Sequence, residues 1–175
     1  IYYLCFTKSY FNKTDGQSVE MGSMGFRVSG NFTKKDELLE IALLLRENNK
    51  KELQIDSEII TPFSTHIGRL PIVFVAPDDV VLIAGSSEER RKLMDTVLSQ
   101  TDPYYLTHLI KYGRVLQERN KYLKSEEISR IDFTLLDSYD QQLSDFGSKI
   151  LEKRNLFFTQ YIPLVQELFA FISEG

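Results

Sequence analysis

Cysteine occurs once in the 175 residues, at Cys5, and tryptophan not at all. A lone cysteine cannot close an internal disulfide, which fits a reducing, cytosolic compartment and excludes a disulfide-stapled scaffold. Histidine occurs twice, and His66 and His108 stand too far apart in sequence and context to form a metal centre. No zinc-ligand spacing is present. No apolar run approaches the ~20 residues that a membrane helix needs, and the opening Ile1-Tyr2-Tyr3-Leu4-Cys5-Phe6 lacks the basic leader of a signal peptide. Absent too is any Gly-x-x-x-x-Gly-Lys-Ser/Thr loop of the kind that cradles nucleotide phosphates.

What is present is an ordinary globular balance, 42% hydrophobic and 26% charged with a net charge of −4, enough for one domain or a small domain with an appendage. The charge is unevenly spread. Residues 1–84 carry nine Lys/Arg against eleven Asp/Glu, residues 85–124 eight against five, and residues 125–175 four against nine. The net sign does not recommend nucleic acid as a partner, but the middle segment does. Arg90, Arg91, Lys92, Lys111, Arg114, Arg119, Lys121 and Lys124 fit either a phosphate-contacting face or a solvated helix surface. The chain begins without methionine inside one apolar stretch and stops inside another, so it reads as a piece of a larger protein.

The first zone is β-rich. Ile1 to Phe6 reads as the tail of a helix. Met24, Phe26, Val28, Gly30 and Phe32 then alternate with small and polar residues at the period of a half-buried strand. Leu38 to Leu45 fits a helical face as well as a strand. Asn48-Asn49-Lys50 before the alternating Leu53 and Ile55 decides for a hairpin, because asparagine tolerates the left-handed geometry of tight turns. A further strand is expected at Leu70 to Val75, ended by Pro77, which has no N–H to give a ladder.

From Glu88 onward the pattern is helical. Leu106, Leu109, Gly113, Leu116, Asn120 and Leu123 step at heptad spacing, and a second seam runs through Leu143, Phe146, Ile150, Phe157, Tyr161, Leu164, Leu168 and Phe171. A break is expected at Lys153 and a bend at Pro163. Facing seams predict a short antiparallel helical arm or a packed bundle. The whole is an α+β chain with a β-rich part over 1–84 and a helical lobe over 85–175.

The densest signal lies between Pro77 and Asp95. Asp78 and Asp79 follow a strand end and give a helix an acidic first turn, and Ser86-Ser87 before Glu88-Glu89 forms a second cap. Pro77-Asp78-Asp79, an apolar run, Gly85-Ser86-Ser87, Arg90-Arg91 and Asp95 resemble the signature region of the RecF family of recombinational DNA-repair ATPases. Ser87 stands where that family has proline, and Leu93 where it has an aromatic. The resemblance extends through Ile1-Tyr2-Tyr3-Leu4 with Lys8-Ser9, Gly68-Arg69-Leu70-Pro71, Tyr112, Gln117 to Asn120, Leu136-Asp137 and Asp140, Leu143, Gly147, Ile150 and Arg154.

The resemblance implies an ATP-binding head of the ABC type, related to SMC heads, that carries a helical second lobe. It implies ATP and Mg2+ as cofactors of the full-length protein and an ATP-dependent homodimer. It further implies binding to single-stranded and gapped DNA in the cytoplasm, and work with the RecR and RecO proteins to load recombinase. The phosphate loop is expected upstream of Ile1, and the signature and Walker B elements after Gly175, so this chain alone is expected not to hydrolyse ATP. Asp78 and Asp79 are the candidates to approach the magnesium or the attacking water, a helix cap being the alternative. Arg90, Arg91, Arg114, Arg119, Lys121 and Lys124 are the candidates to touch DNA. No metal site, bound cofactor or membrane contact is expected of the chain itself. The rival reading is a non-enzymatic helical adaptor whose seams dock a partner.

Overall fold

The computed structural model describes residues 1–11, 13–125 and 131–173. They form two compact units, Ile1–Glu89 and Arg90–Gly175.

The first unit is built on a four-stranded antiparallel sheet in the order β1-β2-β3-β4. Its strands are β1 (Phe26–Lys34), β2 (Glu37–Leu45), β3 (Lys51–Ile55) and β4 (Glu58–Ile59). Lys35 and Asp36 in the first hairpin, and Asp56 and Ser57 in the last, all have positive φ, the twist that two-residue hairpin loops need. In the middle hairpin Asn49 has φ 58°, and its N–H donates to the Arg46 carbonyl at 2.8 Å. The asparagine cluster thus makes the expected turn, and Leu38 to Leu45 is strand rather than helix.

Register puts Gly30 opposite Ile41, Ile41 opposite Ile55 and Leu43 opposite Leu53, so one face of the sheet is apolar. That face packs with Leu4 of α1 (Tyr2–Phe6) to form the core. A side chain on Gly30 would stand 3.3 Å from Leu4 Cδ1; glycine is what lets the helix lie this close. His66 is fully buried and its Nε2 lies 2.7 Å from the Leu4 carbonyl oxygen. Lys51 of β3 binds the Thr7 carbonyl at 2.7 Å and pairs with Asp15 at 2.5 Å. The phenol of Tyr3 donates to the same Asp15.

The expected strand at Leu70 to Val75 does not form. Residues 71–76 lie outside the sheet and outside any helix or turn, and Val73 and Val75 are exposed on them. Their β-branched composition is that of a strand, but among the described residues no neighbouring strand supplies a ladder.

The second unit is helical, with α3 (Ser87–Thr101), α4 (Pro103–Ser125) and α5 (Phe133–Ser173) following the short α2 (Val81–Ala84) of the first. Residues of α4, and Asp102 just before it, meet α5 in opposite order: Asp102 with Lys153, Lys111 with Phe146, Arg119 with Asp140. The two helices are therefore antiparallel, as the facing seams predict.

The α4 seam holds in part: Leu106, Leu109 and Leu123 are half-buried, and Leu109 packs against the cluster of Leu98, Tyr105 and Ile150, whereas Gly113, Leu116 and Asn120 are exposed. The rest of the buried or half-buried side of α4 is carried by Tyr105, Tyr112, Val115, Arg119 and Tyr122. Tyr105, Arg119 and Tyr122 suit this side because their polar ends find partners there, on Asp95, Asp140 and the Asp132 N–H. On α5 the expected seam holds from Leu143 through Ile150 to Phe157. No break occurs at Lys153, because Arg154 continues the stripe, and the helix runs on through Pro163.

A second correction concerns length and apolarity. Among the described residues, α5 contains a stretch long and apolar enough to cross a membrane by length and composition, and none of that stretch is buried. Scattered Gln and Glu disguise it when the sequence is scanned for unbroken apolar runs.

Candidate functional site

The Pro77 junction opens a short 3-10 turn, Pro77–Val80, that runs into α2. Asp79 caps it: its Oδ2 accepts the Ala76 N–H at 2.6 Å. The other oxygen of Asp79 accepts the phenol of Tyr10. That pair of hydrogen bonds holds the Asp79 carboxyl below the ordinary aspartate range, the Tyr10 bond contributing most. Burial, reinforced by the hydrogen bond to Asp79 and its charge, pushes the Tyr10 phenol up to about 12. The Tyr10 ring packs on Phe74 at 4.5 Å between centroids and on Tyr2 at 5.1 Å. Asp79 is thus committed to holding the junction against α1 and the turn that follows it. Asp78 is exposed and makes no side-chain hydrogen bond or ion pair among the described residues.

Of the cationic candidates, Arg90 and Arg91 lie exposed in the first turns of α3. Ser86 Oγ accepts the Glu88 N–H at 3.2 Å, which makes Ser86 the cap and Ser87 the first helical residue. That is the position where proline is also well tolerated. On α4, Arg114 pairs with Glu118 at 2.9 Å and Arg119 with Asp140 at 2.6 Å. Lys121 and Lys124 make no ion pair among the described residues. They line a shallow groove with Gly113, Leu116, Gln117 and Asn120. The groove combines two ammonium groups with two side-chain amides, a donor-rich strip suited to an anionic backbone.

Sequence reasoning missed the polar network that ties the helices together. Arg154 of α5 binds Asp95 of α3, and its Nε lies 3.1 Å from the phenol oxygen of Tyr105 on α4. The same phenol donates to Asp95. Lys153 pairs with Asp102 at 2.7 Å; this contact lowers the Asp102 pKa and raises that of Lys153. Asp95 and Arg154 both lie in the stretches that carry the resemblance, but nothing in their spacing announces that they pair.

No family model matches the chain. Among curated proteins it is 39% identical over 165 residues to the DNA replication and repair protein RecF of Flavobacterium johnsoniae, covering 94% of this chain and 46% of the relative. It is 35% identical over 175 residues to the RecF of Phocaeicola vulgatus, covering 99% of the chain and 47% of the relative. The chain belongs to the RecF family of DNA replication and repair proteins. It spans about half the length of the curated RecF relatives it matches.

Two solved structures of the recombination mediator protein RecF in the RecFOR pathway, one as RecF-ATP and one as RecF-ATPrS, share the fold. Each superposes with a TM-score of 0.83 at 23% identity, over 90% of this chain and 43% of the solved one. The α+β architecture, an antiparallel sheet with a helical lobe, is thereby that of RecF.

Proposed function

We propose that this chain is the β-rich edge and the helical lobe of a recombinational DNA-repair and replication ATPase, with 1–84 belonging to the head and 85–175 to the lobe. The observation that carries the reading is agreement with RecF over nearly the whole chain in sequence, together with the fold shared with a RecF solved with ATP. In this reading the complete protein binds ATP and Mg2+, dimerises through the nucleotide, and engages single-stranded and gapped DNA in the cytoplasm. It acts with RecR and RecO to load recombinase during the SOS response. The solved relatives' place in the RecFOR pathway supports that partnership.

Magnesium supplies charge neutralisation on the phosphates when nucleotide is bound. Of the two junction carboxylates, Asp78 fits an approach to the metal or to a water on it, because its carboxylate is exposed and uncommitted. Asp79 fits a positioning role, because both of its oxygens are already used. On the lobe, Lys121 and Lys124 are the phosphate contacts best supported. Arg114 and Arg119 would have to exchange carboxylates for DNA, and Arg90 and Arg91 stand on a separate helix.

The test is binding of the complete protein to a gapped duplex with and without ATP, alongside the sequence upstream of Ile1. A phosphate loop there and ATP-dependent DNA binding are expected. A complete protein with no such loop and no ATP response would leave the helical adaptor in its place.

A further inference from the structure

Tyr10 holds the Pro77 junction from both sides. Its ring packs on Phe74, just before Pro77, at 4.5 Å between centroids, and its hydroxyl donates to Asp79, just after it. The same ring meets Tyr2 of α1 edge-on at 5.1 Å, and Tyr2 in turn stacks on Phe6 at 4.7 Å. α1 is the fixed end of this chain of contacts, since Leu4, Cys5 and Phe6 are all buried.

Apolar packing within the chain does little to aim the junction. Neither the turn Pro77–Val80 nor α2 contains a buried residue. Asp79 divides its oxygens between the Ala76 N–H, at 2.6 Å, and the Tyr10 phenol. The first bond closes the turn on itself, and the second ties the turn to α1. The charge of Asp78 bears on the same phenol, so both junction carboxylates lie within electrostatic reach of one hydroxyl.

We propose that Tyr10 is a positioning residue for ATP turnover, which through Asp79 fixes the Pro77–Val80 turn to α1 and thereby presents Asp78 to the bound nucleotide. It acts through Asp79 and not on the nucleotide. The inference rests on the ATPase reading above and gives a role to a residue which that reading leaves without one. A carboxylate on a loose turn samples many directions, so its loss of aim costs rate more than nucleotide affinity. The position needs tyrosine rather than phenylalanine, because the ring alone would keep Phe74 and release Asp79.

The test compares Tyr10→Phe with Tyr3→Phe in the complete protein. Tyr3 lies on α1 and donates to Asp15 in a like pair, but there the carboxylate is shared with Lys51 of β3 and not with the junction. Expected of Tyr10→Phe is a roughly ten-fold fall in ATP turnover, with ATP affinity within about two-fold of wild type. In the nucleotide-free protein the amides of Ala76, Asp79 and Val81 should exchange several-fold faster. In an Asp79→Ala background, where the tie is already cut, Tyr10→Phe should lower turnover no further. Tyr3→Phe should leave turnover unchanged. Unaltered exchange or unaltered turnover in Tyr10→Phe overturns the proposal. An equal loss of turnover in Tyr3→Phe also overturns it, since the effect would then be one of stability. A wild-type protein that neither binds nor hydrolyses ATP sinks the ATPase reading itself, and the positioning role with it.

Discussion

The guanidinium of Arg154 on α5 grips both carboxylate oxygens of Asp95 on α3, with Nη2 2.7 Å from Oδ1 and 3.0 Å from Oδ2. The fully buried Tyr105 of α4 joins the same carboxylate through its phenol, so three helices meet at one ion pair. Arg154→Ala leaves the half-buried Asp95 and the buried Tyr105 each with one partner gone and is expected to cost about 2 kcal/mol. Arg154→Lys loses the fork and is expected to recover less than half of that. Urea unfolding of the two variants checks this; a loss below about 0.5 kcal/mol for Arg154→Ala would show the pair to be incidental.

Gly113→Ala distinguishes the observed inner face of α4 from the heptad seam. A methyl group at Gly113 meets nothing within 4 Å, so the substitution removes a helix-interior glycine without a clash. It is expected to stabilise by roughly 0.8 kcal/mol. Destabilisation in thermal or urea unfolding would return Gly113 to a helix interface.

His66 makes the first unit sensitive to acid. Burial holds the imidazole pKa below its ordinary value, against the smaller opposing effect of the Leu4 carbonyl, and Nδ1 has no hydrogen-bond partner among the described residues. The folded pKa lies below the unfolded one. The native state is therefore at full strength above the unfolded value of about 6.5 and loses stability as pH falls through that value toward the folded one. The unfolding midpoint should drop between pH 7.5 and pH 5, and the drop should shrink in His66→Gln. The remainder belongs in part to His108, whose pKa is also lowered, chiefly by burial.

Tyr10 and Asp79 report on each other. Asp79→Asn removes the charge while keeping an acceptor, so the Tyr10 phenol should titrate below its value of about 12. It should remain above that of an exposed tyrosine, because burial is the larger cause. Labelled-tyrosine NMR separates it from the other tyrosines. Asp79→Ala should in addition speed amide exchange at Ala76, whose N–H loses its acceptor; unchanged exchange would remove Asp79 as the cap.

Much of this was legible in the sequence, for identifiable reasons. Alternation from Phe26 to Phe32 and the asparagine turn at Asn49 are local signals, and local signals place strands. The α5 stripe to Phe157 is equally local. What escaped was set at long range. The segment after Pro71 has strand composition but no partner strand among the described residues. On α4 the aliphatic heptad finds the half-buried Leu106, Leu109 and Leu123 but passes over Tyr105, Tyr112 and Arg119, which carry the rest of the inner face. Asp79 was readable as a cap from its neighbours, but its bond to Tyr10 spans 69 positions, and Asp95 lies 59 from Arg154.

The most direct measurement of the account is the salt dependence of gapped-duplex affinity for the complete ATP-bound protein, wild type against Lys121→Gln/Lys124→Gln. If these lysines neutralise phosphates, the slope of log K against log salt should fall by about 1.8, with ATP binding unchanged. An unaltered slope, or DNA binding indifferent to ATP, would contradict it.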